Sequence, residues 1–413
     1  MTSRERILHA LNHTQPDRVP VDLSSYRSSG ISSVAYPKLR AALGLPPRPV
    51  YVYDPVQQLA IVDEDVLDLV GADAIELGRG FCLEDRWWAD WTLPDGTPCK
   101  MPAWAVPERA GAEWVYRNSG GTVMARMPEG SLHFDQTWWP FLDGEEDLSR
   151  IAELYPEHMW TGIASPPGPA VSSPAELAAG ARAMRARSSR AIVGLFGGNL
   201  LEMGQFYYRM DGFLMMLAGE PARAHRFLDA LVEIHLKNLE SFLAAVGDSI
   251  DVIVFGDDLG AQNCPQISPR MYREFFKPRH SLMWNRAKQL APVKVMLHCC
   301  GAVRPLLPDL IETGLDAINP VQISCRGMEA EGLKHDFGRD ITFWGGGCDT
   351  QRILPEGTPQ QVREHVLRQC EILAPGGGFV FQQVHNILAN VPPANILAMY
   401  DAVKEFDSRA AVA

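Results

Sequence analysis

The sequence contains no run of about 18 uninterrupted apolar residues, the length a helix needs to cross a bilayer. Its first residues, MTSRERILHALNH, lack the apolar stretch of a secretory signal. Positive charge is scarce: 38 Lys and Arg stand against 50 Asp and Glu, a formal net charge of −12. That balance excludes the basic face of a general nucleic-acid binder. The eight cysteines are irregularly spaced and include no C-x-x-C pair, so neither a disulfide framework nor a thiol–disulfide catalyst is expected. There is no internal repeat and no low-complexity tract. These absences point to a cytoplasmic chain in a reducing compartment, where clustered cysteines more often bind metal or do chemistry.

Against those absences stand 46% hydrophobic and 21% charged residues in 413, enough for a sizeable core. Thr2 and Glu5 are spaced as a capping box, and Ile7, Leu8 and Leu11 form the apolar stripe of a first helix. Short β-rich runs read as buried strands at 18–23, 73–77, 191–196, 251–258, 293–300, 316–322, 341–347 and 378–385. Helix starts lie between many of them, at Ser173-Pro174, Ser268-Pro269 and Thr358-Pro359. Strands alternating with helices predict parallel pairing, and eight of them predict a single α/β domain over 1–413, a (β/α)8 TIM barrel. Residues 79–160 break the rhythm. They are rich in tryptophan, with Asp95-Gly96 and Gly120-Gly121 placed as hairpin turns. This predicts an antiparallel β insertion after the second strand, over one mouth of the barrel, with 165–174 as the linker back.

Chemistry in such a barrel sits at the C-terminal ends of the strands. Those ends carry Asp22, Glu76, Asp257-Asp258, His298-Cys299-Cys300, Asn319 with Gln322, Cys348-Asp349 and His385-Asn386. Strand periodicity of two projects His298 and Cys300 together and Cys299 away. One imidazole and one thiolate make half of a tetrahedral zinc site, and a third protein ligand with an open fourth position would make it catalytic. Cys348, behind three glycines, is taken as that third ligand, with His385 the second candidate. Asp257 and Asp258 are read as a general base and its orienting partner, or as an anchor for a metal-bound histidine. His385 and Gln322 complete the candidate catalytic set, because His385 can donate a proton near neutrality.

The blocks RERILHALNHTQPDRVPVD, GDDLG with ISPRMYREFFKP, HCCGAVRPLLPDLIETGLDAINPVQ, FWGGGCDTQRILPEGTP and GGGFVFQQVHNI resemble the uroporphyrinogen decarboxylase superfamily. The resemblance runs over nearly the whole chain and implies a TIM barrel. It also implies one of two chemistries: metal-independent decarboxylation, or zinc-dependent methyl transfer linked to a corrinoid (cobalamin) on a partner protein. The Arg-rich motif of the decarboxylases is missing; DLSSYRSSGISS carries only Arg27. The methyltransferase branch is similar in its His-x-Cys, matched by His298 and Cys300, whereas its third ligand is commonly a cysteine near the last strand, where this chain has His385. The resemblance therefore implies a zinc- and corrinoid-dependent methyltransferase acting on a small methyl donor or acceptor, served by a corrinoid carrier protein and forming a homodimer. The alternative is a decarboxylase of a different small acid.

Overall fold

The computed structural model describes residues 1–142, 146–163 and 168–410. Its centre is a curled, wholly parallel sheet of seven strands. They are β1 (Ala74–Glu76), β2 (Ala191–Gly197), β3 (Val252–Gly256), β4 (Lys294–His298), β5 (Ala317–Asn319), β6 (Thr342–Trp344) and β7 (Phe379–Val380), each hydrogen-bonded to the next in chain order. The strand expected at 18–23 shrinks to a bridge: Val21 pairs in parallel with both Ala72 and Phe381, between β1 and β7. Pro20 has no N–H to give a ladder, and Val21 donates its own to the Asp73 side chain at 3.0 Å. Backbone bonds still tie the segment to both neighbours, from Asp22 N–H to Phe381 O and from Asp73 N–H to Val21 O, and Arg6 and Arg18 are bonded to Asp73.

Strand periodicity sorts the interior. Ile253, Phe255, Val295 and Leu297 face outward into the main core shared with the surrounding helices. Val252, Val254, Met296, Ala317 and Trp344 face inward and pack with Ile7, Ala10 and Leu11, so the helix Ser3–Leu11 plugs the bottom of the sheet. Its capping box of Thr2 and Glu5 is formed as the sequence predicts, and so is that of Thr358 with Gln361. The next inward positions along β1, β4 and β5 are Glu76, His298 and Asn319. Polar side chains thus begin one layer above the apolar plug.

Between β1 and β2 the chain forms small antiparallel groups: Trp88–Thr92 with Pro98–Pro102, and the strands Glu108–Ala110, Glu113–Arg117, Val123–Met127 and Asp135–Gln136. A strand absent from the sequence reading, Val50–Asp54, pairs in parallel with Pro98–Pro102. Its run VYVYD is short and follows a proline-rich loop, a pattern that also fits an extended loop. The linker expected at 165–174 begins outside the described residues. No described helix is long and apolar enough to cross a membrane.

Candidate metal centre at the barrel mouth

β4 ends on His298, and the chain turns sharply afterwards. Gly301 has φ +94°, and a Cβ there would meet backbone carbon of Gly260 at 2.4 Å, so only glycine fits. That close contact and the bond from Cys300 N–H to Asp258 Oδ1 (2.7 Å) hold the thiol beside the imidazole. Cys300 Sγ lies 3.5 Å from His298 Nε2, while Cys299 is buried on the outer side. His385 arrives from the loop after β7, whose neighbour Asn386 bonds to Gly30 N–H and Gln57. One ligand atom each from His298, Cys300 and His385 lies within 4.8 Å of the other two.

The donor set suits a soft divalent ion. Asn319 Oδ1 accepts from His298 Nδ1 at 2.9 Å, while Asn319 Nδ2 donates to Trp344 O and Gln382 Oε1. An oxygen there requires the proton on Nδ1, which leaves the Nε2 lone pair facing Cys300. Tetrahedral zinc with one nitrogen and one sulfur ligand holds them about 3.5 Å apart, the separation found. Burial and the neighbouring His298 push the His385 imidazole down to about 3, so it is neutral and able to ligate. Burial, reinforced by Asp258, holds the Cys300 thiol well above its ordinary value. A bound cation is what would convert it to thiolate.

Cys348, the expected third ligand, is not in this cluster. The chain leaves β6 through Gly345–Gly347, and Cys348 lands in the main hydrophobic core, where its thiol faces the Asp349 carbonyl. Burial raises it strongly. His385 takes the position, and its side chain edges onto His298 with ring centroids 5.7 Å apart.

The acidic pair separates. Asp257 is fully buried and accepts from Leu201 and Glu202 N–H, both at 3.0 Å, which caps the helix Leu201–Tyr208. That helix has no side-chain cap of its own, so Asp257 supplies one from a neighbouring strand. Its carboxylate is thus turned to the helix start, away from the cavity lining that holds Asp258. Asp258 faces the site, 3.8 Å from His298 Nε2. Gln322 accepts from Gly301 N–H at 2.9 Å and lines a second groove of about 630 Å³ with Cys300 and His385.

A cavity of about 440 Å³ is lined by Asp258, His298 and His385 together with Glu76, Glu202, Tyr26 and a set of aromatic rings. Glu76 and Glu202 were not among the site residues the sequence suggested. Burial raises Glu76 to about 7, and burial together with Asp258 and Asp257 pushes Glu202 well up. Glu76 stood at a strand end and could have been taken from that signal. Glu202 lies in GGNLLEMG on a helix, where nothing in the spacing marks it.

An α/β barrel with its ionisable residues gathered at the strand C-termini defines the class of protein. The chain belongs to the uroporphyrinogen decarboxylase (URO-D) family, whose family model matches residues 193–406. Among solved structures it is similar to a methyltransferase from Methanosarcina mazei, at 19% identity and a TM-score of 0.60, covering 98% of this chain and 99% of that one. At that identity the likeness is one of fold. No curated protein sequence matches the chain.

Proposed function

We propose that the protein is a zinc-dependent methyltransferase that moves a methyl group between a small substrate and a corrinoid carried by a separate protein. The observation that carries this reading is the His298–Cys300–His385 cluster, three neutral-or-soft ligand atoms within 4.8 Å at the strand ends beside a cavity. Those three residues would hold the ion, and zinc there would keep a thiol substrate ionised or polarise a methylated heteroatom. The chain's own part is positioning. Asn319 fixes the His298 tautomer, Asp258 orients Cys300 through its backbone, and aromatic side chains line the cavity beside them. Tyr155 and Trp160 belong to that wall and come from the chain between β1 and β2. In this reading, residues 79–160 form an insertion that covers the barrel mouth.

The test has two parts. Purified full-length chain, supplied with zinc, retains about one ion per molecule, and Cys300→Ala loses it. The zinc-loaded protein then forms methylcobalamin from cob(I)alamin and a methylated substrate, followed by its visible spectrum. Failure to retain zinc, or carbon dioxide release from a small acid without metal, overturns the reading in favour of a decarboxylase.

A further inference from the structure

One feature of the cavity is unused by the metal cluster. Glu76 is only 4% exposed and lines the cavity; the Tyr53 hydroxyl and the Gly78 N–H approach its carboxyl, while its Oε2 makes no hydrogen bond of good geometry. A buried carboxyl with one oxygen left unbonded is poorly suited to an empty apolar pocket. The same lining carries Glu202 and Asp258 against a single cation, Arg27, which already faces Asp54 at 3.5 Å. Carboxyl groups in the lining outnumber cations, and burial holds Glu76 and Glu202 above their ordinary range until a cation is supplied. The walls are aromatic: Trp160 stacks on Phe206 with centroids 6.4 Å apart, and Phe196 packs edge-on to Phe255 at 5.3 Å. Aromatic faces combined with buried carboxyl groups are the chemistry that recognises methylated ammonium groups, whose charge is spread over apolar methyls.

We propose that this cavity binds a methylated ammonium cation, caged by Trp160, Phe196 and Phe206 and countered by Glu76. As the identity of the methyl donor the inference rests on the methyltransferase reading; as a binding site it does not.

The test is calorimetric titration of the full chain with choline and with its neutral carbon isostere, 3,3-dimethyl-1-butanol. Choline binds more tightly by about tenfold, the size of a desolvated cation–π and charge contribution. Glu76→Gln, which conserves shape, abolishes the preference without changing affinity for the alcohol. Phe206→Leu lowers choline affinity by more than it lowers that of the alcohol. An unfolding midpoint for each variant shows that it is folded. Equal affinity for the two probes, binding of neither, or a preference that survives Glu76→Gln overturns the proposal. A chain that binds choline this way but retains no zinc keeps this site and loses the methyltransferase reading. Zinc retention and methyl transfer without choline preference does the reverse.

Discussion

Asn319 Oδ1 accepts a hydrogen bond from His298 Nδ1 at 2.9 Å, on adjacent strands at the same height of the barrel. The Tyr26 hydroxyl also donates to that oxygen. Asn319 is fully buried, and its amide nitrogen is committed to Trp344 and Gln382. The bond therefore selects one imidazole tautomer without needing a charge. Removing it with Asn319→Ala is expected to weaken zinc binding by about 10- to 100-fold. Competition with a chelator of known affinity measures this. Unchanged affinity would show that the metal, if held, does not depend on the tautomer.

Cys348 and His385 separate in a single comparison. His385→Ala removes a ligand and is expected to abolish stoichiometric zinc. Cys348→Ala leaves zinc content intact and lowers stability by about 1 kcal/mol, the cost of a small cavity in the core. Metal analysis and denaturant unfolding on the same preparations read both. Zinc lost from Cys348→Ala and kept in His385→Ala would invert the ligand set.

Asp257 acts on the scaffold. Its carboxylate accepts two backbone N–H groups at the start of the helix Leu201–Tyr208. Asp257→Ala strands both donors and is expected to cost about 2 kcal/mol in urea unfolding. Zinc stoichiometry at low temperature stays as in the parent. A catalytic role would instead appear as lost turnover with stability unchanged.

Stability should depend on pH through Glu76. Burial raises its carboxyl from the ordinary carboxylate range to about 7. The folded state thus holds a proton that the unfolded state releases between about pH 4.5 and 7. Its contribution is fully present below that window and is lost as pH rises through it. Glu76→Gln cannot ionise, so it is expected to match the parent near pH 4.5 and exceed it by on the order of 3 kcal/mol at pH 8. Denaturant midpoints at the two pH values decide it. A gap that does not change with pH would mean that Glu76 is ionised throughout.

Two buried histidines work in the opposite direction. His158 and His235 are pushed down to about 4 by burial. Both are neutral in the folded state while the unfolded state takes up protons below about pH 6.5. Their contribution is present above that value and lost as pH falls toward 4. His235→Gln is expected to flatten the acid limb of the stability curve, read by thermal unfolding between pH 4 and 7. An unchanged limb would remove His235 as a cause.

Local rules were enough for much of this protein. Strand periodicity alone separates His298 and Cys300 from Cys299, because alternate side chains in a strand must face opposite sides. Capping chemistry alone locates the helix starts at Thr2 and Thr358, because those bonds close within a few residues. Tertiary structure decided what those rules do not reach. Cys348 and His385 both follow apolar strands, and only the path of the chain after β6 and β7 turns one into the core and the other toward His298. Asp257 and Asp258 are neighbours in sequence, yet one caps a helix and the other faces the cavity, since successive residues project to opposite faces. Glu76 and Glu202, 126 positions apart by subtraction of their numbers, meet at one cavity because the barrel curls β1 against β2. Burial there holds both carboxyl groups above their ordinary range, Glu202 further through Asp258 and Asp257, and no local spacing contains that.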